Sequence, residues 1–348
     1  MKTGIVAYGT YIPRFRVRIS EIAGFWERDG DSVVKSLGLE EKSVPSIDED
    51  SVTMSVESSQ IALQNGKVTP EKIEAVLIGS ESHPYAVKPT ATTVAEILGI
   101  TKNYLGADTQ FACKAGTAAL QLVAGLTESK QINYGLIIGS DTAQAKPGDA
   151  LEYTAASASG SFILGNKNVI ARIIDFTSYS TNTPDFWRRD GQKYPSHGGR
   201  FTGEPAYFDH VLNASSNLLQ KTKLQPSDFA YAVFHMPNAK FPKQAAKKLG
   251  FTSEQLKPGL IVESIGNPYS ASSLVGLAAV LDIAKPHQKI FVCSYGSGSG
   301  SDAFAFETTP EILEYQELNQ NTVASQVKNK KVISYPQFVK LFKSKEYI

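Results

Sequence analysis

The sequence of 348 residues holds only two cysteines, five histidines and two tryptophans, and its 35 basic and 34 acidic side chains leave a formal net charge of +1. Each scarcity excludes something. Two cysteines cannot make a disulfide framework, and the spacing of Cys113 and Cys293 fits no zinc motif. So few thiols suit a reducing compartment. His83, His197, His210 and His287 lack the spacing of metal ligands, so no metal is expected. A net charge near zero gives no reason to expect nucleic acid as a partner. No apolar run approaches the ~18 residues of a membrane span. The opening MKTGIVAYGTYIP has neither an apolar h-region nor a cleavage signal. A cytoplasmic protein without a membrane anchor is expected. The run GSGSGS from Gly296 lacks the Walker lysine and the GxGxxG spacing, so it does not announce a nucleotide site.

What is present suits a large folded core: 42% hydrophobic and 20% charged residues. At ~150 residues per domain, the length allows two domains or two halves of one. GIVAYG, EAVLIGS, YGLIIGSD, GSFILG, YAVFHM and KIFVCSYG read as buried strands, the first ending in a turn at Pro13. Helical patterns such as SVTMSVESSQIALQNG lie between them. Alternating strands and helices argue for an α/β protein with a mainly buried sheet.

The chain also resembles itself. ESSQIALQNGKVTPEKIEAVLI from Glu57 and NASSNLLQKTKLQPSDFAYAVF from Asn213 align at an offset of 156, matching Ser59 with Ser215, Gln64 with Gln220, Lys67 with Lys223 and Pro70 with Pro226. INYGLIIGSD from Ile132 is echoed by HQKIFVCSYGSG from His287. The same order in both halves predicts two similar α/β halves, residues 1–170 and 171–348. Catalytic groups collect just beyond strand ends, and related halves would face each other there. Those places hold Glu81, Cys113, His235 and Asn267, with the glycine-rich loop from Gly296. Cys113 lies in GADTQFACKAGTAAL, where a loop turns into a closely packed helix. A helix N-terminus lowers a thiol's pKa, which suits a nucleophile; a buried structural cysteine is the other reading. Glu81 also reads as a solvated loop carboxylate, His235 as a core histidine and Asn267 before Pro268 as a turn. Cys293, inside an apolar strand, reads as core. From Ser325 onward Lys328, Lys330, Lys331, Lys340, Lys343 and Lys345 stand against one acid, Glu346, which reads as a solvated basic surface; a docking surface for a partner or for CoA phosphates is the sharper reading.

In order and spacing, GIVAYGTYIP, EKSVPSIDED, GSES, TQFACKAGTAAL, GRFTGEPAYF, FHMPNAKFPK, GNPYSASS and SYGSGSGSDAF resemble the thiolase superfamily, and within it the archaeal-type hydroxymethylglutaryl-CoA synthases, over nearly the whole chain. The resemblance implies a duplicated, five-layered αβαβα fold. It implies condensation of acetyl-CoA with acetoacetyl-CoA, for isoprenoid synthesis by the mevalonate pathway. Cys113 would carry the acetyl group, Glu81 would remove a methyl proton with its pKa raised by burial, and His235 would hydrogen-bond or protonate the new alkoxide. Backbone N–H groups at Cys113 and in the Ser297 loop would hold carbonyl oxygens, and Asn267 would position acetoacetyl-CoA. Thr154 and Thr202 match positions that contact the acyl group, and Arg200 and Lys240 match positions facing the CoA phosphates. Gln244 stands where the archaeal pattern has arginine. No cofactor is implied, because the CoA thioesters are substrates. A homodimer is implied, with strands of the first half pairing across the two-fold axis. The archaeal type also resembles proteins that assemble with an acetoacetyl-CoA thiolase and a small zinc-ribbon/OB-fold protein.

Two rivals stand beside this reading. A 3-ketoacyl-acyl-carrier-protein synthase III uses cysteine, histidine and asparagine but condenses by decarboxylation. It needs no base at Glu81, and its PHQAN motif is here FHMPNAK. A non-catalytic acyl-CoA-binding scaffold would need no activated thiol.

Overall fold

The computed structural model describes residues 1–345. Glu346 lies outside the described residues, as do the side chains of Lys343 and Lys345. The apolar runs form the strands of one sheet. They are β1 (Gly4–Tyr11), β2 (Ile73–Gly79), β3 (Leu105–Thr109), β4 (Tyr134–Thr142), β5 (Ser157–Gly165), β6 (Ala171–Ser180), β7 (Tyr231–Phe234), β8 (Lys289–Cys293) and β9 (Gly300–Thr308). Their spatial order is β7-β8-β9-β6-β1-β5-β4-β2-β3.

One pairing pattern occurs twice. β1 runs antiparallel to β5, β5 antiparallel to β4, and β4 parallel to β2. Likewise β6 runs antiparallel to β9, β9 antiparallel to β8, and β8 parallel to β7. The segments that echo each other in the sequence, β2 with β7 and β4 with β8, hold equivalent places. In the sheet the two groups join where Gly4 and Ile5 pair with Arg172 and Ala171.

Helices complete five layers. On one outer face α1 (Ser51–Asn65) packs on β1, β5 and β4; on the other α3 (Phe208–Thr222) packs on β6 and β9. Between the strand groups lie α2 (Ala115–Glu128) and α4 (Ser272–Leu281). The sequence of α4, SSLVGLAAVL, has no polar face, and all its residues but Ala279 are buried. Such a helix belongs in a central layer. Small residues let these layers approach closely. A methyl group at Gly79, ending β2, would lie 2.3 Å from the backbone of Ala115 and Gly116 at the start of α2. A smaller sheet, built from Phe15–Arg18, Glu41–Val44 and Lys331–Val332, ties residues near both ends together. Among the described residues no helix is long and apolar enough to cross a membrane.

Candidate active site

The candidate residues follow the carboxyl ends of two parallel pairs, β2 with β4 and β7 with β8, or precede α2 and α4. Open α/β sheets place ligands at such carboxyl ends. Glu81 follows β2, Asp141 is the second-last residue of β4, and His235 follows β7. Cys113 precedes α2, and Asn267 precedes the turn leading into α4. Ala112, just before the cysteine, has φ +43°, a left-handed conformation that costs an alanine energy and turns Cys113 sharply into the helix. Cys113 packs with Ala155 and Tyr269.

Two predicted groups meet directly: the Cys113 thiol donates to Glu81 Oε1 at 3.1 Å. The Glu81 loop is held by Asp141, a carboxylate with no solvent exposure. Asp141 Oδ1 accepts from the Glu81 backbone N–H at 2.8 Å, Ser80 Oγ at 2.8 Å and Ser82 Oγ at 2.6 Å. Its Oδ2 accepts from the Ser270 backbone N–H at 2.9 Å, so it also ties the loop to the start of α4. Arg188 Nη2 donates to the Glu81 carbonyl at 3.0 Å. Burial and the neighbouring Asp141 charge push the Glu81 carboxyl up to about 8, against the opposing effects of the Cys113 thiol and Arg188.

The thiol behaves differently from the sequence expectation. Burial, then Glu81, raise Cys113 well above an ordinary thiol, although it stands at a helix N-terminus. Burial is the first cause, and the partner set adds to it. The adjacent Lys114 turns its ammonium away, to both carboxylate oxygens of Asp302 at 2.9 and 3.0 Å, so the nearest ionisable group to the thiol is a carboxyl. The thiol thus has a carboxyl beside it rather than a standing positive field.

His235 is 1% exposed, and burial alone lowers its pKa to about 3, so the imidazole is neutral at neutral pH. Its backbone N–H donates to the Cys293 carbonyl at 2.8 Å, and its carbonyl accepts from Tyr207 at 2.8 Å. Nδ1 is buried with no partner among the described residues. Asn267 is pinned by its backbone to Thr154 and Ala156 at 2.7 and 3.0 Å, and its Oδ1 accepts from the Tyr269 N–H at 3.1 Å. That acceptor is spent in the turn, which leaves the Nδ2 donor. Thr154 is buried beside it.

Ser297 and Glu81 line a cavity of about 510 Å³, together with Asp141, Phe111, Ala112 and Arg188. The Ser297 loop is held by Asp185, whose Oδ1 accepts from the Gly298 N–H at 2.8 Å and whose Oδ2 accepts from Tyr295 at 2.8 Å. Thr202 does not line this cavity; its hydroxyl donates to the Asp185 carbonyl at 3.0 Å. Arg200 and Lys240 are exposed and away from the cavity wall. Lys240 opens the helix Lys240–Leu249, which also displays Lys243, Gln244, Lys247 and Lys248. A second cavity of about 130 Å³ lies beyond Ala143 and Ala155, walled by Lys42, Tyr335 and Phe338. Among the described residues no three histidine, cysteine or acidic side chains gather as a metal set.

Sequence reasoning missed Asp141, Arg188 and Asp185. Asp141 had a signal, since it ends the strand pattern YGLIIGSD as Glu81 follows EAVLIGS.

Comparison with known proteins bears on the fold and the family. The family model for the 3-oxoacyl-acyl-carrier-protein synthase III C terminal matches residues 219–308. Solved structures share the fold: MvaS in complex with 3-hydroxy-3-methylglutaryl coenzyme A has a TM-score of 0.90 at 21% identity, covering 98% of this chain and 91% of that one. An HMG-CoA synthase complexed with CoA has a TM-score of 0.89 at 24% identity, covering 98% and 90%. The hydroxymethylglutaryl-CoA synthase of Archaeoglobus fulgidus is 52% identical over 97% of both chains. That of Methanothermobacter thermautotrophicus is 53% identical over 98% of both, and that of Methanocaldococcus jannaschii 51% identical over 98% of both. Identity at this level, carried end to end on a thiolase-like fold, means that the chain belongs to the hydroxymethylglutaryl-CoA synthase family.

Proposed function

We propose that the chain joins acetyl-CoA to acetoacetyl-CoA, giving (3S)-3-hydroxy-3-methylglutaryl-CoA and CoA, and so serves the mevalonate pathway. The observation that carries the roles of its residues is the contact between the Cys113 thiol and Glu81 Oε1. Glu81 takes the thiol proton as Cys113 attacks the acetyl thioester; the Cys–acetyl bond forms, and CoA leaves as its thiol. Glu81, ionised again, removes a methyl proton from the acetyl group. The enolate attacks the ketone of acetoacetyl-CoA, and a hydrogen bond from neutral His235 stabilises the alkoxide until it is protonated. Water then cleaves the Cys113 thioester, freeing the carboxylate product and the thiol. Backbone N–H groups of Cys113 and the Ser297 loop hold the acyl oxygens, and Asn267 offers its Nδ2 donor to acetoacetyl-CoA. Thr154 borders the acyl site, Thr202 supports it from off the cavity wall through the Asp185 carbonyl, and Arg200 and Lys240 receive the CoA phosphates.

A decarboxylating condensation, suggested by the match over residues 219–308, has no use for a carboxyl against the thiol. The proposed setting is the cytoplasm, as a homodimer paired along β3. An acetoacetyl-CoA thiolase and a small zinc-ribbon/OB-fold protein are its proposed partners.

Intact-protein mass spectrometry tests the reading. Brief exposure to acetyl-CoA should add one acetyl group at Cys113, which acetoacetyl-CoA should discharge into product. Glu81→Ala should still acquire the acetyl group, more slowly, and fail to condense. A near wild-type condensation rate in that variant would remove Glu81 from the base role, and an adduct that waits for a malonyl donor would favour the decarboxylating reaction.

A further inference from the structure

The proposed oxyanion donors come from opposite halves of the chain, the Cys113 N–H from one and the Ser297 loop from the other. Something must set their separation, because a donor displaced by even an ångström loses most of its effect. One side chain lies between them. Lys114 is the covalent neighbour of Cys113, and its stem runs beneath the glycine-rich loop. A methyl group at Gly296 would fall 2.8 Å from Lys114 Cγ and 2.3 Å from the Phe111 carbonyl. A methyl group at Gly300 would fall 3.0 Å from Lys114 Cε. Only glycines leave room for this stem. Beyond the loop the Lys114 ammonium reaches Asp302 on β9, which is fully buried and also accepts from Thr117 at 2.9 Å and Ser178 at 2.8 Å. The ammonium lies 4.1 Å from the Phe111 ring centroid.

We propose that Lys114 and Asp302 are positioning residues for the condensation, a buried ion pair that spans the two halves and fixes the cysteine turn against the Ser297 loop. This rests on the oxyanion roles proposed above. A pair kept only for stability would be a poor choice, since well-packed apolar residues commonly replace buried ion pairs at little or no cost. The geometry instead gives the pair a register to hold.

The test uses the full-length protein carrying Lys114→Met with Asp302→Leu. The double variant should fold with a Tm within a few degrees of wild type. Its Cys113 should react with iodoacetamide, which uses no oxyanion hole, within about twofold of the wild-type rate. Acetylation by acetyl-CoA should lose about tenfold or more in kcat, with KM within about threefold. If the double variant does not fold, Lys114→Arg replaces it. That variant keeps the charge but not the length, and it should keep its Tm while acetylating severalfold more slowly. Wild-type acetylation by a folded variant overturns the proposal. So does an equal loss in both reactions, which would place the effect on the thiol itself. Failure of the wild-type protein to acetylate at all would instead overturn the underlying functional reading, without involving Lys114.

Discussion

At the scale of the residue, the site turns on one carboxyl held above its usual range. With Glu81 near 8, about a tenth of the molecules carry its ionised form, the proposed base, at pH 7. Single-turnover condensation from pre-acetylated protein should therefore rise with pH and level off above about 8. Asp141→Asn removes the charge that helps raise Glu81, and should move that inflection to lower pH. The same shift acts on stability. A carboxyl raised from an ordinary 4.5 contributes fully to the folded state below 4.5, and the contribution is lost as pH rises through about 8. Glu81→Gln cannot ionise, so its Tm relative to wild type should climb between pH 5 and pH 9 by ~5 °C. Parallel melting curves across that range check the sign. The meeting of Cys113 with Glu81 was foreshadowed because one precedes a small-residue helix and the other follows a strand pattern. Asp141 was not singled out, because its part depends on donors 59 to 129 residues away in sequence. The direction of the Cys113 shift was also hidden, since it depends on where Lys114 points.

At the scale of the element, close approach sets the positions of Glu81 and Cys113. β2 delivers Glu81, α2 delivers Cys113, and Gly79 is where their backbones meet. Gly79→Ala would drive a methyl group into the first turn of α2. It should cost about 1–3 kcal/mol in urea unfolding, because backbone rather than a flexible side chain must move. The elements themselves could be read from apolar runs and turn residues, and the echo at an offset of 156 marked the strands that occupy equivalent places. The central position of α4 also has a visible cause, its lack of any polar face. The join between the strand groups could not be read. It consists of two residue pairs at Gly4 and Ile5, and nothing in their composition distinguishes them from the rest of β1.

At the scale of the whole molecule, the sheet ends in an unpaired edge at β3. Leu105 on that edge is 50% exposed, and Ile97 and Leu122 on the adjoining helices are 55% exposed. An apolar open edge invites pairing with another chain. Leu105→Lys should convert the proposed dimer to monomer, as read by light scattering after size exclusion, while each monomer keeps its fold. At the opposite extreme of separation, Tyr315 donates to the Tyr8 backbone and accepts from it across 307 residues, and the Ile333 N–H reaches the Arg16 carbonyl at 2.9 Å. Such closures make folding slow and leave earlier segments waiting for later ones. A ribosome-bound chain holding Glu81 and Cys113 still lacks the segments that brace β1, and so the capacity to carry an acyl group should arrive in one late event of synthesis rather than half by half.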